Sequence, residues 1–123
     1  MTPYVANRRV LVVEDEWLIA EQITTALEEA GYEVVGPVGR LGQALALLDG
    51  TPIDVAVIDV NVHEDRSFSL AAELSRLAIP FAFLSGYSSG DLPSRFSQTP
   101  LLQKPVNAER LRSCVGHLLK TIP

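Results

Sequence analysis

Glu14, Asp15 and Glu16 form a run of three acids directly behind the apolar stretch 10–13, and Asp59, Ser85 and Lys104 close three later apolar stretches. Adjacent carboxylates repel, so such a run marks either an acid-coated helix start or a site gathered around a positive group. Oxygen-only ligands select a hard cation, Mg2+ or Mn2+. Asp15 and Asp59 are candidate direct ligands, and Glu14 can act directly or through water. Lys104 is one of two lysines, every other basic residue being arginine. Its compact ammonium suits a phosphoryl oxygen or a carboxylate at short range. Ser85 offers a hydroxyl to a second oxygen, and Gly86 leaves room for a group to enter. In this constellation Asp59 is a nucleophile that forms an aspartyl phosphate. The cation, Lys104 and Ser85 would neutralise charge spread over the equatorial oxygens of a loose transition state. Glu16 is read as first-turn helix charge outside the cluster, favoured there by the helix dipole.

Apolar patterning shows how these residues could meet. Residues 10–13 are a continuous, mostly β-branched run, the mark of a strand buried on both faces. Ile19, Ile23 and Leu27 recur at helical spacing, and Gly31 is placed to end that helix. A second strand is expected at 32–35, closed by Gly36-Pro37, and a small helix at 41–48. Strand 55–58 ends at Asp59, a helix follows at 67–77 with Ser67 as a possible cap, and strand 81–84 ends at Ser85. Residues 86–100 show little periodicity, so any helix there is short. A brief strand at 101–103 ends at Lys104-Pro105, and Asn107 can cap a last helix with the stripe Leu111, Cys114 or Val115, Leu118 or Leu119, and Ile122.

Strand and helix alternate five times. That order predicts an α/β doubly wound fold, an open five-stranded parallel sheet with helices on both faces. Ligands in such folds sit outside the carboxyl ends of the strands, the edge where Glu14-Asp15, Asp59, Ser85 and Lys104 all fall. The length suits a single domain over 1–123, with its core at about 8–121 and no output domain expected.

Composition narrows the function classes. A formal net charge of -5 and ten scattered basic residues, with no run longer than Arg8-Arg9, speak against direct nucleic-acid binding. A lone cysteine, Cys114, excludes an intrachain disulfide framework and reads as a small hydrophobe. No apolar run approaches the roughly 18 residues of a membrane span, and the acids at 14–16 interrupt any export signal, so a cytoplasmic location without membrane insertion is expected. His63, near Asp59, is read as a solvent-side loop histidine. Trp17 is read as lying at the rim of the acid cluster, useful as an optical probe.

An acidic pair after the first strand, Asp59 after the third, Ser85 after the fourth and Lys104-Pro105 after the fifth resemble the receiver domains of two-component response regulators over nearly the whole chain. Residues 80–87, PFAFLSGY, resemble the P-F-x-F-x-[ST]-G-Y signature of a stand-alone subgroup. The resemblance implies the strand order 2-1-3-4-5. It also implies Mg2+ bound with help from the backbone carbonyl of Asn61, and a Lys104-Pro105 peptide that is often cis. It implies a histidine kinase or histidine phosphotransfer protein as donor, an unknown downstream protein or a sink or shuttle role as output, and a monomer or weak homodimer. On this reading the chain is a phosphoprotein and no enzyme in the turnover sense, since it catalyses only its own phosphorylation and dephosphorylation.

Two departures stand out. Leu101 occupies the place where receivers usually carry a switch aromatic, for which Tyr87 is a candidate replacement. The loop 60–66 lacks the glycine common there. Two alternatives remain beside the switch. One is a pseudo-receiver that binds partners without phosphorylation. The other is a Mg2+-dependent phosphohydrolase, disfavoured because Asn61 stands where its general acid would be.

Overall fold

The structure is a computed structural model, and it describes residues 8–86 and 92–121. Five strands, β1 (Arg9–Val13), β2 (Glu33–Val38), β3 (Val55–Asp59), β6 (Phe81–Ser85) and β7 (Leu101–Gln103), form one sheet in the order β2-β1-β3-β6-β7, all pairs parallel. This is the expected 2-1-3-4-5 order. A two-stranded antiparallel hairpin, β4 (Asn61–Val62) and β5 (Asp65–Arg66), stands apart from the sheet and was not expected.

The continuous apolar runs become the three central strands because side chains on both of their faces are buried. Val10, Val12, Val55, Val57, Ala82 and Leu84 point to one side, where Ile23 and Leu27 of α1 (Trp17–Glu29) and Leu111 and Val115 of α4 (Ala108–Leu119) cover them. Leu11, Val13, Ala56, Ile58, Phe81 and Phe83 point to the other, under α2 (Leu41–Leu48) and α3 (Phe68–Arg76). Full burial of each large aliphatic or aromatic side chain is worth about 1.5–3 kcal/mol, so two half-cores back to back hold the sheet rigid. Among the described residues no helix is long and apolar enough to cross a membrane.

Capping follows the sequence in two places and departs from it in a third. Gly31 ends α1 at φ +94, and the Asn107 side chain accepts a hydrogen bond from the Arg110 N–H at 3.0 Å. Ser67 stands at the N-cap of α3, but its side chain makes no cap bond. The second strand runs past its expected end, through Gly36-Pro37 to Val38, with an irregular register between Leu11 and Val13. The described part of the link between β6 and β7 holds a 3-10 turn at Ser94–Phe96, in keeping with little helix there. Tyr87 and Ile122 lie outside the described residues.

Candidate functional site

β1 and β3 lie side by side, with Val13 opposite Ile58, so Glu14-Asp15 and Asp59 leave the sheet together. One oxygen from each of Glu14, Asp15 and Asp59 lies within 4.8 Å of the others. Glu14 and Asp59 are 3% and 5% exposed, a degree of burial that carboxylates tolerate only when paired.

Lys104 supplies the pairing. β7 carries it to the same edge, and its main-chain N–H donates to the Ser85 carbonyl at 2.8 Å. The ammonium Nζ lies 2.7 Å from Asp59 Oδ2, 2.7 Å from Glu14 Oε1 and 3.2 Å from Glu16 Oε1. Burial alone would lower the lysine's pKa, but the Asp59 and Glu14 carboxylates beside it outweigh that and the net direction is upward. Burial pushes the Glu14 carboxyl up to about 7, against the lowering effect of Lys104 and of the Glu16 N–H that Glu14 Oε2 accepts at 3.1 Å. Glu16, expected to stand outside the cluster, is therefore a third carboxylate on the lysine, although mostly exposed.

The remaining oxygens are held by the loop after β3. Asp59 Oδ1 accepts from the Asn61 N–H at 3.1 Å, and Asp15 Oδ2 accepts from the His63 N–H at 3.0 Å. The His63 imidazole is exposed, as expected of a solvent-side loop histidine, with its Nδ1 3.8 Å from the same Asp15 oxygen. Ser67 Oγ donates to the Asp59 carbonyl at 2.6 Å and lies 3.2 Å from the Val60 carbonyl. Ser67 is completely buried, and its own N–H donates to the Val60 carbonyl at 2.9 Å. A clasp between the two ends of the hairpin thus closes the glycine-free loop. Beside Glu16, Ser67 is a residue whose role the sequence pattern did not reveal. A hydroxyl residue closing a loop that lacks glycine was the available signal, and a helix cap was the more familiar explanation.

Ser85 is buried at the end of β6, opposite Gln103 and next to the Asp59–Leu84 pair. Gly86 is exposed, and a Cβ built there meets nothing within 4 Å among the described residues, leaving an open approach. The Lys104-Pro105 peptide is cis. Leu101 is half-buried on β7 opposite Phe83 and packs into the core face that also holds Phe68, Phe81 and Phe96. Trp17 is 74% exposed at the start of α1 and, with Glu14, Asp15 and Gly39, lines a cleft of about 440 Å3 beside the acids.

The donor set suits a hard divalent cation: three carboxylates with oxygens in mutual reach, and one fully buried oxygen, Glu14 Oε1, that faces the ammonium without hydrogen-bond alignment. An ammonium lodged between the acids shows that the site is built to hold positive charge.

Comparison with known proteins agrees with this geometry. The response regulator receiver domain family matches residues 10–116. The chain is 35% identical over 89 residues to the transcriptional regulatory protein PdtaR of Mycobacterium tuberculosis, a match covering 72% of this chain and 43% of that protein. The chain thus spans less than half the length of that curated relative. The solution structure of SdrG from Sphingomonas melonis Fr1 superposes with a TM-score of 0.83 at 36% identity, covering 94% of this chain and 99% of that one. The BeF3-activated conformation of SdrG superposes with a TM-score of 0.78 at 34% identity, covering 94% and 99% of the two chains.

Proposed function

Because the chain belongs to the response regulator receiver domain family, a family of two-component signalling switches, we propose that it is switched by phosphorylation of Asp59. The observation that carries this reading is Asp59 itself: nearly buried at the carboxyl edge of the sheet, with Lys104 at 2.7 Å and two further acids in reach.

The donor is the phosphohistidine of a histidine kinase or a histidine phosphotransfer protein. An Asp59 carboxylate oxygen attacks the phosphorus, the O–P bond forms as the N–P bond breaks, and the imidazole leaves with the electron pair and takes up a proton. Glu14, Asp15, Asp59 and the Asn61 carbonyl would hold Mg2+ or Mn2+, which supplies positive charge against the phosphoryl oxygens. Lys104 passes from the carboxylate to a phosphoryl oxygen, so its charge follows the charge that develops. The Ser85 hydroxyl donates to a second oxygen, and Gly86 leaves the approach open. Asn61 has no acidic proton to protonate a small-molecule leaving group, so the chemistry is that of the protein's own modification. Output runs through a protein contact, or the chain serves as a phosphate sink or shuttle. A cytoplasmic location follows from such partners.

Beryllofluoride, a phosphoryl mimic, tests the reading. A Mg2+-dependent bound fluorine resonance is expected for the wild type and not for Asp59→Ala. Binding that survives the substitution would place the acceptor elsewhere.

A further inference from the structure

We propose that the β4–β5 hairpin reads the state of the acidic site and passes it to an aromatic stack at the start of α3, a route that does without an aromatic at position 101. The proposal rests on the phosphoacceptor reading and names how that site is coupled to the surface.

Through Asn61 and His63 the hairpin is tied to the phosphoacceptor and to a candidate metal ligand. Asn61 donates to Asp59 Oδ1 at 3.1 Å and His63 donates to Asp15 Oδ2 at 3.0 Å. An Asp59 oxygen joined to phosphorus loses its negative charge and becomes a poorer acceptor, and a cation on Asp15 competes for the oxygen that His63 uses. Both bonds therefore weaken when the site fills. The tip is also under strain, since His63 sits at φ 56, a conformation that L side chains adopt reluctantly. The Asp15 bond helps to hold it there, so the tip has cause to rearrange when that bond goes.

On its second strand, directly opposite Asn61, the hairpin rests on phenylalanine. The Arg66 guanidinium lies 5.7 Å from the centre of the Phe68 ring. Phe68 stacks on Phe96 with centroids 5.8 Å apart and planes at 29°, and Phe96 belongs to the 3-10 turn Ser94–Phe96. Asn61 and Arg66 are paired across the hairpin, so a shift at Asn61 is carried to Arg66. Leu101 packs against the same core face, but its aliphatic side chain has no hydroxyl to exchange between core and water. The stack joins the hairpin to the turn directly.

Hydrogen exchange with mass detection tests the relay in the full chain, with Mg2+ and beryllofluoride and with occupancy read by the bound fluorine resonance. In the wild type, occupancy is expected to change exchange in segments 61–66 and 92–99. In Arg66→Ala and in Phe68→Leu, which lie outside the proposed metal and phosphoryl ligands, the change at 61–66 persists and that at 92–99 is lost. An undiminished change at 92–99 in both variants would overturn the relay, as would a silent hairpin in a fully occupied wild type. Failure of beryllofluoride to bind at all would instead overturn the phosphoacceptor reading, and the relay with it.

Discussion

The Lys104 ammonium lies 2.7 Å from Glu14 Oε1, a contact between side chains only 12% and 0% exposed. The pair joins positions 14 and 104 and, extended to Asp59, is the electrostatic centre of the site. Its consequences can be measured.

Lys104→Ala leaves Glu14 and Asp59 facing each other without a cation. Removing one partner of a buried pair costs about 3–5 kcal/mol, so the metal-free variant is expected to melt well below the wild type. Mg2+ should restore more of the melting temperature in the variant than it adds to the wild type, because the cation takes over the ammonium's task. Equal Mg2+ shifts in the two proteins would contradict this.

The raised Glu14 carboxyl sets a pH dependence. Its pKa is about 7 in the folded chain against an ordinary 4.5, so the folded state holds this proton more tightly than the unfolded chain does. The stability it contributes is fully present below about 4.5 and is lost as pH rises through about 7. Metal-free Glu14→Gln should show a flatter stability profile across that window in urea denaturation.

Metal affinity runs in the opposite direction. Proton and cation compete for Glu14, so affinity should fall by about tenfold per pH unit below the carboxyl's pKa. Trp17 fluorescence, from a ring lining the cleft beside Glu14 and Asp15, is the measurement. A pH-independent affinity would remove Glu14 from the ligand set.

Ser67→Ala deletes the clasp on the Asp59 carbonyl. Leaving that buried acceptor unpaired costs about 1–3 kcal/mol, readable by urea denaturation. The same variant should bind Mg2+ several-fold more weakly, since the clasp fixes the backbone that presents Asp59 and Asn61. Asn107→Ala, which removes the cap of α4, should cost about 1 kcal/mol and leave Mg2+ binding unchanged.

The fold was legible because buried parallel strands leave unbroken apolar runs, as at 10–13, 55–58 and 81–84. The shared edge was legible because chain order places strand ends together in any such sheet. Glu16 was not, since its approach to Lys104 joins positions 88 residues apart and depends on a lysine rotamer. The hairpin was not either: strands of two residues are too short for alternation to register. Ser67 was misread for a different reason, as local pattern allows the same residue to be a cap or a clasp, and only packing decides.

The most direct test of the central claim is intact mass after incubation with acetyl phosphate, with and without Mg2+, for the wild type and Asp59→Asn. The account predicts one added phosphoryl group on the wild type, dependent on Mg2+ and absent from the variant. An adduct of equal yield on Asp59→Asn would contradict it.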